Sequence, residues 1–268
     1  MNLPIGQLGS ERSARSRPAV TGLALSSGAA RGAAHAGVLR AVEEAGIGVR
    51  VVTGSSAGAL VGGAWAAGIE AQEIVTRLRE AQFADFGTPS LTLRLGLMDT
   101  TPLARNLEQA LGTTLIEDLP IRFGAVVTEL VSPTPRLITT GSLVEAIRAS
   151  SAVPGLFPPV RIDGTRCIDG GVLSSLPVWA ARHLGADRVI AVRFGDGPRW
   201  RRWLESRDTH PGCGQAAELT IVIDTEGCSK WTPADVPALI ERGYGTARAA
   251  LAGWSPMGEA VLCNGARR

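Results

Sequence analysis

Apolar positions along this chain fall into short runs separated by glycine- and proline-marked turns, and two periods take turns. TGLALSS (21–27) is a compact apolar run and reads as a buried strand. AAHAGVLRAVEEAG (33–46) repeats its apolar residues at helical spacing and stops at glycine. The pattern continues as a strand over 48–54, helices over 57–68, 71–83 and 101–112, and an interior strand over 122–130. Next come a short strand over 136–141, a helix over 142–152 that ends before Pro154, and a strand over 165–171 running into a turn. A helix over 177–185 and a strand over 187–194 follow; after an irregular stretch, a strand over 218–224 and a helix over 236–253 close the series. Strands alternate with helices almost throughout, which predicts a three-layer α/β/α domain around a mostly parallel sheet. The expected organisation is a flexible basic arm over 1–18 and one domain over 19–265.

Composition narrows the picture. With 45% hydrophobic and 19% charged residues among 268, a buried core is feasible and global disorder is excluded. A formal net charge of +2 is too small to argue for nucleic acid. Of the 27 cationic residues only Lys230 is lysine, a bias that GC-rich coding produces as readily as selection for phosphate binding. Cys167, Cys213, Cys228 and Cys263 show no C-x-x-C and no neighbouring histidine pair, so no metal or other cofactor is expected and free thiols are the default. A Cys213–Cys228 bridge is the alternative for an exported protein. The N-terminal stretch has charge but no apolar core of a secretion signal, and no run approaches a membrane span, so a cytoplasmic protein is expected. In RWRRWLESR (199–207), Trp200 and Trp203 would share a helical face and Arg201 and Arg202 would meet lipid phosphates. This is the candidate for peripheral membrane contact, against the plain reading of an exposed loop with its tryptophans tucked back.

In open α/β sheets ligands sit beyond the carboxyl ends of the strands. Three glycine-rich turns stand at such ends: 26–32, 54–58 and 169–171. Gly54-x-Ser56-x-Gly58 has the spacing of a nucleophile elbow, where the corner is too tight for side chains two residues either side of the serine. The plain alternative is a helix packed closely on the sheet. SSGAARG follows a strand and opens a helix, so backbone N–H groups and the helix dipole face one spot. It lacks G-x-G-x-x-G and G-K-[ST], which disfavours a nucleotide. An oxyanion hole with Gly28 and Ala29 as donors is the better use. Arg31 either braces this loop through backbone carbonyls or is a solvated surface cation. His35 reads as a core residue, His183 as a cation at a helix C-terminus, and His210 lies in a polar loop that leaves a Ser–Asp–His order formally open. Asp169 precedes Gly170 and Gly171 and so can lie close against another loop, or it caps an ordinary Asx turn.

Four blocks, LALSSGAARGAAHAGVLRAVEEAGI, GSSAGA, EAIRASSAVPGLFPPV and DGG, in this order and spacing, resemble the bacterial patatin-like phospholipases over roughly residues 20–195. The resemblance implies hydrolysis of lipid acyl esters, of lipase, esterase or phospholipase A type, through a Ser–Asp dyad and an acyl-enzyme, without metal. Ser56 falls on the family's nucleophile and Asp169 on its general base, with Gly54, Gly58, Gly170 and Gly171 supporting the two motifs. The loop over 27–32, with Gly28, Ala29, Ala30 and Arg31, falls on the oxyanion hole, and His35 on a helix position without a catalytic role. The family's loop usually reads Gly-Gly-Gly-x-Arg-Gly; here Ser27 and Ala29 replace the first and third glycines. The expectation is a working loop; Ala29 at negative φ would keep its N–H in place, whereas positive φ would strain it. A triad through His210, an acyltransferase on the same dyad, and a catalytically silent lipid- or protein-binding relative stay open.

Overall fold

The computed structural model describes residues 18–89, 97–195, 216–229 and 232–254. The basic arm, the Trp200–Trp203 patch, His210, Cys213 and Cys263 lie outside the described residues. The strands are β1 (Thr21–Leu25), β2 (Val49–Ser55), β3 (Thr88–Pro89), β4 (Met98–Asp99), β5 (Arg122–Glu129), β6 (Pro135–Ile138), β7 (Val160–Ile162), β8 (Thr165–Asp169), β9 (Arg188–Phe194) and β10 (Leu219–Ile223). The helices are α1 (Ala33–Glu44), α2 (Ala57–Ala66), α3 (Ala71–Glu80), α4 (Thr101–Leu111), α5 (Leu143–Ser150), α6 (Val178–His183) and α7 (Val236–Leu251).

The main sheet has the order β10-β9-β1-β2-β5-β8-β7, with β6 paired to β5, and β10 through β5 run parallel. Side-chain alternation along β1 builds the layers. Leu23 and Leu25 enter one core with α1, α2 and α7, while Ala24 between them meets α6 on the opposite face. Full burial of each Leu, Ile or Val contributes on the order of 1.5–3 kcal/mol, which is ample to hold the helices on the sheet.

The antiparallel side of the sheet departs from the sequence reading. The expected strand over 136–141 is confined to Pro135–Ile138, and Ser142 then caps α5 by accepting from Glu145 N–H at 3.3 Å. β7 has no counterpart in the periodicity, being three residues long, yet its hairpin to β8 carries a plain signal. Asp163 and Gly164 occupy the two-residue turn with φ 49° and 79°, the conformation that Asp-Gly favours between paired strands. β8 stops at Asp169, two residues short of the expected end, because residues 170–172 turn into a 3-10 helix that the Asp169 side chain caps.

One topological detail positions the site. Ala125 pairs with both Gly54 and Ile138, and Val127 with both Arg136 and Asp169, so β2 and β8 must share one edge of β5 while β6 takes the other. On that edge Ser55 faces Val126 and Asp169 faces Val127. Two strands running in opposite directions therefore meet end to end. Residues 114 apart in sequence become neighbours there.

Candidate active site

Ser56 stands at the corner between β2 and α2 with φ 53° and ψ −119°, a region that residues with a side chain rarely adopt. The surroundings hold it there. Its N–H donates to Ser150 Oγ at 2.9 Å, and Ser150 Oγ donates to Val126 O at 2.6 Å, tying the corner to α5 and β5. A Cβ on Gly54 would lie 2.3 Å from the Gly58 carbonyl, and one on Gly58 2.2 Å from Leu25 O. Both glycines are therefore required by space, as the elbow spacing predicts. The neighbouring Ser55 has a different job: its hydroxyl donates to Ser174 O at 2.6 Å, inside the sheet.

The Ser56 side chain lies close enough to the Asp169 carboxylate to favour its charged form, and that carboxylate accepts from Gly171 N–H at 2.7 Å. Asp169 is thus both a neighbour of Ser56 and the cap of an Asx turn. It is only 5% exposed, and burial pushes its carboxyl up to about 6 against the pull of these two neighbours. The following glycines make the approach possible. A Cβ on Gly170 would meet Val126 O at 2.0 Å, and one on Gly171 would meet Ser27 Cβ and Oγ at 2.6 Å.

The loop over 26–32 closes the third side. Ala29 to Gly32 form a 3-10 turn, and a Cβ on Gly32 would sit 2.2 Å from Ala57 Cβ, so this turn lies directly against the residue after Ser56. The first bond of the turn runs from Arg31 N–H to Gly28 O at 3.2 Å, which leaves the N–H groups of Gly28, Ala29 and Ala30 ahead of the ladder. The Arg31 guanidinium braces the loop, with Nε and Nη2 on Cys228 O at 3.2 and 2.9 Å. Cys228 is a buried free thiol. Ala29 has φ 50°, the strained of the two alternatives. The fold needs the left-handed corner here, and the alanine is carried into it.

The other replaced glycine has a visible reason. Ser27 bonds Ser175 through its hydroxyl at 2.7 Å and through its N–H at 2.9 Å, tying the loop to the segment after Asp169. His35 is fully buried in α1, with Nε2 2.8 Å from Ser26 O and its ring 5.0 Å from Phe194. Burial lowers it to about 4, so the neutral imidazole donates to Ser26 O and fixes the entry to the loop. It makes no contact with Ser56. His183 ends α6, on the sheet face that α6 covers.

Ser56 opens into an apolar cleft of about 140 Å³ walled by Leu60, Leu78, Phe86, Leu103, Leu156 and Phe157, with Ala29 and Ala30 beside the serine. Among the described residues no cluster of His, Cys, Asp or Glu has metal-binding geometry, and no helix is long and apolar enough to cross a membrane. Sequence reasoning passed over Ser150, Ser174 and Ser175. Their signal was local polarity at the ends of buried elements, in ASSA and LSSLP.

Comparison with known proteins gives these arrangements a context. The sequence profile of the patatin-like phospholipase family matches residues 23–182. An uncharacterized NTE family protein of Mycobacterium tuberculosis is 39% identical over 179 residues, which cover 63% of this chain and 48% of that protein. Neuropathy target esterase of Drosophila melanogaster is 34% identical over 185 residues, 65% of this chain and 13% of that one. Lysophospholipase NTE1 of Mycosarcoma maydis is 37% identical over 183 residues, 65% and 10% respectively. The chain thus spans about half the length of the mycobacterial relative and a small part of the other two. VipD from Legionella pneumophila superposes with a TM-score of 0.56 at 16% identity, covering 88% of this chain and 67% of that one. A structure of the ExoU–SpcU complex from Pseudomonas aeruginosa superposes with a TM-score of 0.51 at 19% identity, covering 88% and 52%. At these identities the two structures speak to fold alone. The chain belongs to the patatin-like phospholipase family.

Proposed function

We propose that this member of the patatin-like phospholipase family is a serine acyl-ester hydrolase acting on lipids through Ser56 and Asp169. The observation that carries the reading is a serine on a forced corner, next to a buried carboxylate, at the base of an apolar cleft. Ser56 Oγ attacks the ester carbonyl while Asp169 accepts its proton. The N–H groups of Gly28, Ala29 and Ala30 receive the charge that develops on the carbonyl oxygen, the kind of preorganised donation worth about 3–4 kcal/mol per donor. The proton on Asp169 passes to the departing alcohol. Water then attacks the acyl-enzyme with Asp169 again as base, which frees the acid and restores Ser56.

A carboxylate is ordinarily a poor base at neutral pH. Burial narrows the mismatch here by lifting Asp169 to about 6, closer to the pH at which it must both take and give a proton. The kinship with a protein named lysophospholipase and the apolar cleft favour a substrate with one long acyl chain. The direct test is labelling with a fluorophosphonate followed by mass spectrometry of the modified peptide. Modification at Ser56 with loss of ester turnover is expected. Labelling at Ser55, Ser150 or Ser151 instead, or at no serine, would remove the assignment.

A further inference from the structure

The cleft at Ser56 is small for a lipid. Its roughly 140 Å³ compares with the ~150 Å³ of an apolar cavity that just accommodates benzene, so about six carbons of an acyl chain fill it. Behind it lies a second cavity of about 530 Å³ between α2, α3 and α4. Leu60, Val61, Leu78, Ala81, Phe86 and Leu103 line both, so a partition one side chain thick separates them. The floor of the second cavity is apolar, formed by Ala64, Ile74, Leu107 and Ala110.

Three of the polar residues at its rim, Arg77, Asp85 and Asn106, have partners, while Glu80 and Gln109 also line it. Arg77 pairs with Glu73 at 2.6 Å, the Asp85 carboxylate accepts from Gln82 N–H at 2.7 Å, and Asn106 donates to Asp85 O at 3.2 Å. The polar side chains stand at the rim, while the floor suits methylenes. The partition also has a part able to move. Leu78 and Phe86 are only half-buried, and Phe86 stands on the turn after the 3-10 helix Phe83–Asp85, outside any helical hydrogen-bond ladder.

We propose that Leu78, Phe86 and Leu103 form an acyl-length gate, which opens the Ser56 cleft into the second cavity to admit the distal part of a long acyl chain. The gate rests on the reading of Ser56 as the nucleophile of a lipid acyl hydrolase. Carbons near the ester lie in the first cleft, and those beyond about the sixth pass between Phe86 and Leu103 to lie over Leu107 and Ala110. Each methylene that crosses leaves water for apolar walls, so transition-state binding rises with chain length beyond what the first cleft alone allows.

The test is kcat/KM on p-nitrophenyl esters from C4 to C16, each preparation normalised to the fraction of Ser56 that a fluorophosphonate labels. Ala110→Phe fills the second cavity without facing Ser56 and should lower the C16-to-C4 ratio at least tenfold. Phe86→Ala thins the partition and should raise the same ratio by a similar factor. If Phe86→Ala fails to fold, Ala110→Phe alone decides. Ratios unchanged in labelled, ester-cleaving Ala110→Phe would overturn the gate and leave the hydrolase reading intact. A wild type that neither labels at Ser56 nor cleaves any ester in the series would overturn both.

Discussion

Two residues with side chains sit in the left-handed region on either side of the same cleft: Ser56 at φ 53° and Ala29 at φ 50°. Each such conformation costs on the order of 1–3 kcal/mol, and the two are held by different means. The Ser56 corner is fixed at the residue itself, by the Ser150 hydroxyl that accepts from its N–H and by Gly54 and Gly58 packed against neighbouring carbonyls. The Ala29 turn is fixed from outside, by side chains at its borders: Ser27 on Ser175, His35 on Ser26 O and Arg31 on Cys228 O. In the proposed mechanism the side chain of residue 56 is the reagent, so the strain accompanies the chemistry. At residue 29 that mechanism uses only the N–H, and any residue that holds the corner would serve.

The largest effect should fall on the first of these. Ser56→Ala is expected to fold and to lose at least about a thousandfold in ester turnover, since it removes the nucleophile itself. Asp169→Asn should follow closely in turnover while moving stability the other way. The folded carboxyl is raised from 3.8 to about 6, so the native state binds more protons than the unfolded chain between those values. Its contribution is present below pH 3.8 and lost as pH rises through 6, on the order of 3 kcal/mol at most. His35 has the opposite sign. Lowered from 6.5 to about 4, it contributes fully above pH 6.5 and loses that contribution as pH falls toward 4.

The two slopes oppose each other between about pH 4 and 6 in the wild type. Asp169→Asn should therefore expose the His35 slope. Urea melts of the variant should show stability rising from pH 4.5 to 6.5 more steeply than in the wild type, with the variant the more stable form at pH 7. A parallel pair of curves would contradict the buried, raised carboxyl. In the wild type, ester turnover should fall about tenfold per pH unit below 6, as Asp169 becomes protonated.

Ser150→Ala probes what fixes the corner. The substitution leaves the Ser56 N–H and Val126 O without their shared hydroxyl in a fully buried place, at a cost of about 1–3 kcal/mol. The elbow then has one restraint fewer. A drop in kcat of roughly ten- to a hundredfold, with little change in KM and slower fluorophosphonate labelling, is expected of a positioning residue. Lost stability with an unchanged labelling rate would make Ser150 structural only.

The contrast between the two corners was half legible in the chain. Gly54, Ser56 and Gly58 announce their corner because a tight strand-to-helix turn permits few other residues, and Gly170 and Gly171 announce a close approach for the same reason. The alternation of β2 also separates Ser55, turned into the sheet, from Ser56. Ala29 gives no such notice. An alanine ordinarily takes negative φ, and the restraints that hold it otherwise come from Ser175 and Cys228, which lie 148 residues after Ser27 and 197 after Arg31. The meeting of β2 and β8 along one edge of β5 was equally hidden, since it depends on register. The β7–β8 hairpin, by contrast, was readable from Asp163-Gly164, and only the brevity of β7 masked it.

The smallest effect sharpens the comparison most. Ala29→Gly releases a left-handed alanine, which costs about 1–2 kcal/mol. Glycine also frees the unfolded chain, which takes back about 0.4–1 kcal/mol. A net gain between zero and about 1.6 kcal/mol follows, or at most roughly 3–6 °C in Tm for a domain of this size. Short-chain ester turnover should change by less than about tenfold, because the donor is the N–H and glycine keeps it. The matched measurement replaces Ser56 by Ala and by Gly. That pair differs by the same methyl group at nearly the same φ, so the Gly-minus-Ala difference in Tm should agree at positions 29 and 56 if both corners are strained alike. A destabilised Ala29→Gly beside a stabilised Ser56→Gly would show that the Ala29 methyl, which lines the cleft, contributes more by packing than its φ costs, and the two corners would then differ in kind.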